Sequence, residues 1–147
     1  ERAGLLHDKL GPVLFQLPPR WKFNGERLAS FIKLLPEEFN YAIEFRNPGW
    51  WNQQTYEILK NNNIAFCIFD LDGALSPIEI TADFIYVRLH GPAAAYQGRY
   101  SSGVLRKWAE QFKAWSDKGK YVYCYFDNDE NGYAARDALK LNKMLME

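Results

Sequence analysis

Two short apolar runs carry ionisable residues two positions apart. Tyr41-Ala42-Ile43-Glu44-Phe45-Arg46 holds Glu44 and Arg46, and Phe84-Ile85-Tyr86-Val87-Arg88-Leu89-His90 holds Arg88 and His90. In a β-strand, positions i and i+2 face the same side. Each run therefore aims two ionisable groups at one place, while Ile43 and Phe45, or Ile85, Val87 and Leu89, face the other way. Charge is costly to bury unless it is paired or left at a wet mouth, so the pattern points to a polar site at strand ends. Glu44 and His90 are the natural acid/base candidates, because their pKa values can be tuned towards neutrality. Arg46 and Arg88 offer planar, permanently charged forks for a phosphate or carboxylate.

These pairs sit in a chain that alternates strand and helix. A helical lead over residues 1–10 ends at Gly11-Pro12, and Val13 to Leu17 reads as a strand stopped by Pro18-Pro19. Asn24 caps a helix with Leu28, Phe31, Ile32 and Leu35 on one face, ended by Pro36. The strand from Tyr41 to Arg46, a helix from Asn52 to Asn62 and a strand from Ile64 to Phe69 follow. Residues 71–77 read as loop, Phe84 to Leu89 as the fourth strand, and 91–103 as a Gly-, Ala-, Ser- and Tyr-rich loop. Ser102 starts a helix with Leu105, Trp108, Ala109, Phe112 and Trp115 at helical spacing. The fifth strand runs from Tyr121 to Phe126, and the last helix uses Ala134, Ala138, Leu141 and Leu145 as its inner stripe. Such alternation predicts an α/β fold with a parallel sheet, either doubly wound or part of a (β/α) barrel. A full barrel needs eight strands and roughly 250 residues, so five strands make at most a partial one. Polar residues recurring late in all five strands favour the barrel mouth.

Ligands of parallel α/β folds bind at the carboxyl ends of the strands. Those ends add Gln16, Asp70, Asp127, Asn128 and Asp129 to the set. Asp70 or Asp127 is placed to orient His90 or to hold a divalent ion. An oxygen-only site from Asp70, Asp72, Asp127 and Asp129 stays open, but His7 and His90 are the only histidines, and no metal or cofactor is assigned. For Asp127-Asn128-Asp129 the plain alternative is a turn that caps the last helix. The loop from Gly91 to Tyr100 has glycine hinges, and Tyr96 or Tyr100 is expected to cover a ligand. Gly49-Trp50-Trp51 offers a stacking platform for a sugar or base, although a hydrophobic staple onto the following helix is the commoner use. Phosphate-loop, GxGxxG and serine-elbow patterns are absent. Equally, the charged residues could be an ion-pair ring that braces the mouth.

Composition narrows the class. The 147 residues are 48% hydrophobic and 24% charged, which is globular. Lys+Arg 18 against Asp+Glu 18 leaves no basic footprint, so nucleic acid is a disfavoured partner. Cys67 and Cys124 lie in apolar runs and read as buried free thiols, which favours a reducing compartment and a cytoplasmic location. No apolar run approaches the ~18 residues of a membrane span.

At Ile43-Glu44-Phe45-Arg46-Asn47-Pro48-Gly49-Trp50, at Tyr86-Val87-Arg88-Leu89-His90-Gly91 with Tyr96 and Tyr100, and at Tyr125-Phe126-Asp127-Asn128-Asp129, the chain resembles the YecE-like family, domain of unknown function 72. Leu10-Gly11-Pro12-Val13-Leu14-Phe15-Gln16-Leu17-Pro18-Pro19 matches as well. The resemblance implies a TIM-like barrel of which residues 1–147 form the carboxyl-terminal part, a single incomplete domain holding strands four to eight. Asp127 stands where that family usually has Asn. The resemblance supplies a fold and a site location but no reaction.

The favoured expectation is an enzyme acting on a small polar or anionic substrate, such as a phosphate- or sugar-containing molecule. Glu44 and His90 would exchange protons, with Asp70 beside them as the third catalytic candidate. Arg46, Arg88, Gln16, Asp127 and Asn128 would bind, under Tyr96 and Tyr100. The rivals are a module binding single-stranded nucleic acid or carbohydrate, and an inactive truncated chain that self-associates through exposed sheet edges.

Overall fold

The computed structural model describes Leu6 and residues 9–147. His7 and most of the helical lead expected over residues 1–10 lie outside the described residues. In chain order the elements are β1 (Val13–Leu17), α1 (Gly25–Ile32), β2 (Tyr41–Phe45), α2 (Gln53–Asn61), β3 (Ala65–Leu71), β4 (Ala74–Leu75), β5 (Phe84–Leu89), α3 (Ser102–Ser116), β6 (Tyr121–Phe126) and α4 (Tyr133–Met146). Short 3-10 turns occupy Pro48–Trp50 and Glu130–Gly132.

The five expected strands form one parallel sheet in the order β1-β2-β3-β5-β6. Each strand lies beside the one before it in the chain, with no reversal of order, as in an arc of a (β/α) barrel and unlike a doubly wound sheet. The two-residue strand β4 is an addition to the expected set. Asp72 and Gly73, at φ 52° and 70°, turn the chain so that Ala74 and Leu75 pair antiparallel with the end of β3. A two-residue strand is too short for alternation to reveal.

The sheet separates two environments by residue parity. On the helix-covered face Ile43, Phe45, Phe66, Ile68, Ile85, Val87 and Leu89 pack with Leu28, Leu59, Leu105, Phe112 and Trp115 in the main core. On the opposite face, Ala42, Ala65, Cys67, Phe84 and Tyr86 form a second cluster. Full burial of such aliphatic and aromatic side chains contributes roughly 1.5–3 kcal/mol each, which fixes the register of every strand and so the aim of its polar end.

The helices start where the caps predict. Asn24 Oδ1 accepts from the Arg27 amide at 2.8 Å and Asn52 Oδ1 from the Thr55 amide at 3.0 Å. Helix α3 starts at Ser102 as expected, capped by Ser101, whose Oγ accepts from the Val104 amide at 3.2 Å. The buried stripe of α3 is the predicted one, Leu105, Trp108, Ala109, Phe112 and Trp115. Helix α1 stops at Ile32, short of Pro36, and leaves Leu35 in the turn. On α4 the buried residues are Ala134, Asp137 and Leu141, so Asp137 takes the inward place expected for Ala138. The reason is polar: Asp137 answers donors of a loop described below.

Candidate ligand site at the strand ends

Parallel register brings the polar ends together. Gln16 lies beside Glu44 across β1 and β2, Phe69 beside Arg88 across β3 and β5, and Arg88 beside Tyr125 across β5 and β6. Arg46, His90 and Asp127 each follow the last residue of a strand by one position.

Glu44 is the hub. Its side chain has no exposed surface. Oε1 accepts from Arg46 Nε, and Oε2 accepts from Arg88 Nη1 at 2.7 Å. His90 Nε2 lies 3.7 Å from Oε2, and the Cys67 thiol lies beneath, also at 3.7 Å. Arg88 reaches further: Nη1 donates to Gln16 Oε1 at 3.1 Å, and Nη2 ion-pairs with Asp127 Oδ2 at 2.7 Å. Arg46 Nη2 contacts Gln16 Oε1 at 3.4 Å and His90 Nε2 at 3.2 Å. Its guanidinium sits 5.4 Å over the Phe69 ring. The arginines and Asp127 form the wet rim, with 10% of Arg46, 17% of Arg88 and 28% of Asp127 exposed, while His90 is fully covered.

Burial alone would raise the Glu44 carboxyl, but His90, Arg88 and Arg46 around it outweigh that cost and hold its pKa at about 2. Glu44 is therefore a fixed negative charge at neutral pH. This corrects the expectation that Glu44 exchanges protons with a substrate. The Arg88 guanidinium is pulled down by burial and pushed up more strongly by Glu44 and Asp127, so it stays a cation.

His90 differs. Its Nε2 lies 3.2 Å from Arg46 Nη2 and 3.7 Å from Glu44 Oε2. Nδ1 lies 3.2 Å from Asp127 Oδ2 without making a hydrogen bond. Asp127, rather than Asp70, is thus the aspartate beside the imidazole. The ring is enclosed by Tyr96, edge-on at 5.4 Å, and by Phe69 at 6.4 Å.

Not every expected residue joins this cluster. Asp70 follows Phe69 and so has the opposite parity. It accepts from the Tyr100 hydroxyl at 3.2 Å and lines a cleft with Leu75, Val104 and Trp108 on the α3 side. Tyr100 is buried, and its hydroxyl also accepts from the Gly91 amide at 3.0 Å. It pegs the loop rather than covering a ligand, which leaves Tyr96 as the ring above the cluster. Asn128 is buried on the helix side, donating to Gly98 O and to Asp137 Oδ2, both at 2.9 Å. The capping reading of Asp127-Asn128-Asp129 is not realised either, since α4 follows Gly132 in a left-handed conformation with no side-chain cap. Asp72 is in the exposed hairpin turn, and among the described residues no three His, Cys, Asp or Glu side chains converge to hold a metal.

Trp50 does not offer a stacking platform. It is buried against Phe45 and Phe23, with Nε1 donating to Trp21 O at 2.8 Å. Trp51 donates to Phe45 O at 3.1 Å. Both cysteines are free thiols.

Three contributors were not read from the sequence. Phe69 supports Arg46 and His90, and parity with Cys67 would have placed it there. Asp137 and Glu130 hold the loop from Gly91 to Tyr100: Asp137 Oδ2 accepts from the Tyr100 amide and Glu130 Oε2 from the Gly98 amide, both at 3.0 Å. Nothing in their spacing announces either contact.

Comparison with known proteins bears on the fold and the family. The chain is similar to UPF0759 protein YunF of Bacillus subtilis (strain 168), 24% identical, over 94% of this chain and 58% of that protein. A DUF72 family protein from Thermotoga maritima MSB8 superposes with a TM-score of 0.85 at 31% identity, covering 97% of this chain and 60% of the other. One from Enterococcus faecalis V583 gives 0.83 at 22% identity, covering 95% and 60%. The chain thus spans about three fifths of the length of these relatives. The family model described as protein of unknown function DUF72 matches residues 1–147, and the chain belongs to that family.

Proposed function

We propose that the strand ends form the active site of an enzyme that binds a small polar, anionic molecule and moves a proton at His90. One observation carries the reading. A fully covered imidazole lies 3.2 Å from a carboxylate, Asp127, and 3.2 Å from a guanidinium, Arg46, beside a buried carboxylate that stays ionised. Such surroundings support a general acid/base role for the ring. Arg46 and Arg88 are pre-placed, through Glu44 and Gln16, to meet developing or resident negative charge without reorganising. Tyr96 walls the site. The burial of Trp50, one ring of the expected stacking platform, supports this reading over a nucleic-acid or carbohydrate module.

A metabolite screen of carboxylates, phosphate esters and sugar phosphates, read by thermal shift and turnover, tests this. Hits are expected to lose binding at least about tenfold in Arg88→Gln, and turnover about 100-fold or more in His90→Gln. Hits indifferent to both variants would refute the reading.

A further inference from the structure

Away from the strand-end cluster, a cavity of about 660 Å³ lies beside the edge strand β1. Phe15 and Leu17 of β1 and Phe31 of α1 wall it, together with Trp21, which is 52% exposed. Its shape is set in advance. Trp50 Nε1 donates to Trp21 O at 2.8 Å, Asn47 Nδ2 to Pro19 O at 2.6 Å, and the Trp21 amide to Pro18 O at 3.0 Å. Phe15 packs edge-on against Phe31 with ring centroids 5.0 Å apart. A concave, largely apolar and pre-formed pocket of this size suits one small molecule.

The charges around it are one-sided. Arg20, Lys22 and Arg27 line the cavity, and no carboxylate does. Among the described residues none of the three has an ion-pair partner, whereas Arg46, Arg88, Arg99 and Lys120 each face an Asp or Glu. In a chain of zero net charge this is a local positive field over an apolar hollow, and such a field raises the local concentration of anions.

We propose that this cavity binds a small amphiphilic anion, its apolar body against Phe15, Leu17, Phe31 and Trp21 and its acidic head among Arg20, Lys22 and Arg27. The site is separate from the strand-end cluster and does not rest on the reading of it. Burial of the apolar body supplies most of the affinity, and the cations supply the preference for a charged head. A wholly polar anion gains nothing from the walls, and a neutral apolar molecule gains nothing from the cations. A second copy of the chain is a poorer occupant. The cavity beside the other edge strand, β6, is lined by Lys113 and Lys120 and again by no carboxylate. Contact between unlike edges of two copies therefore sets cation against cation, and so does contact of β1 with β1.

Titration of the full chain with 8-anilinonaphthalene-1-sulfonate and with N-phenyl-1-naphthylamine, the same rings without the acid, tests the assignment by fluorescence and calorimetry. The sulfonate is expected to bind as one molecule per chain, at least about tenfold tighter than the neutral amine at low salt. Added salt should shrink that preference. Arg20→Gln, Lys22→Gln and Arg27→Gln combined, all at exposed positions, should bring the two probes within about twofold of each other. Trp21→Ala should weaken both. Equal affinity for the two probes, or no binding of either, overturns the proposal on the unaltered chain without any variant. Several probe molecules per chain, or a preference that survives the combined variant, places binding elsewhere and also overturns it. Probe release as dimers form at rising protein concentration gives the cavity to a second copy instead. None of these variants touches Glu44, Arg88 or His90, so the metabolite screen judges the strand ends separately.

Discussion

Oδ2 of Asp137 accepts the backbone amide of Tyr100 at 3.0 Å, joining α4 to the loop that follows β5. The same oxygen takes the Asn128 side-chain amide at 2.9 Å, and Asn128 in turn holds Gly98 O. The Tyr96 ring thus stands over His90 because the loop is fastened from behind, on the helix side of the sheet. Asp137→Ala strands two buried donors, each at about 1–3 kcal/mol, so a stability loss of about 2–5 kcal/mol is expected in urea unfolding. The Tyr100 amide should also exchange with deuterium much faster. A Tyr100 amide protected as in the wild type would sink the assignment.

Acid should loosen the fold through Glu44. Its folded pKa of about 2 lies below the ordinary 4.5, so its contribution is fully present above the ordinary value and is lost as pH falls towards 2. The loss is on the order of 3 kcal/mol, readable from urea midpoints collected across that range. Glu44→Gln should flatten the slope there. It should also cost about 3–5 kcal/mol at neutral pH, because Arg46 and Arg88 lose their buried counter-charge.

Gly91 has no room for a side chain. At φ 121° a Cβ would lie 2.3 Å from Gln97 O and 2.8 Å from Gln97 N, both backbone atoms. Gly91→Ala should therefore cost at least about 3 kcal/mol. Gly73→Ala, at φ 70° with open space around it, should cost only about 1 kcal/mol. Thermal melts of the two variants side by side give the comparison, and equal melting temperatures would contradict the packing described.

Burial pushes the Cys67 thiol well above its ordinary value, with the nearby Glu44 adding to the shift, and pushes Cys124 up to about 12. Both should resist a thiol-exchange reagent in the native protein at mildly alkaline pH and react promptly once it is unfolded. Prompt labelling of Cys67 in the folded chain would mean that the floor of the mouth opens.

The parity rule carried the sequence reading a long way, and its one neglected step explains the errors. Glu44 with Arg46 and Arg88 with His90 were legible because each pair sits two apart in an otherwise apolar run, and the parallel register then brings them together. Asp70 and Asn128 were included for lying late in their strands, yet each is an odd step from the mouth-facing series, Cys67 and Phe69 in β3 and Asp127 after β6. Counting parity through the strand end would have sent both to the helix side. The ionised state of Glu44 lay beyond sequence reading, since it depends on three neighbours from two strands. So did the inward Asp137, whose partners are 37 and 9 positions away.

Fastening the loop from α4 has a consequence for the order in which the protein is made. A nascent chain that has emerged through β5 already holds Gln16, Glu44, Arg46, Arg88 and His90, but Asn128, Glu130 and Asp137 are still to come. The wall over His90 is thus set by a segment that leaves the ribosome after the sheet, and the mouth matures after the strands that bear it. For the same reason, a cut within α4 would disable the mouth without removing a single residue that lines it.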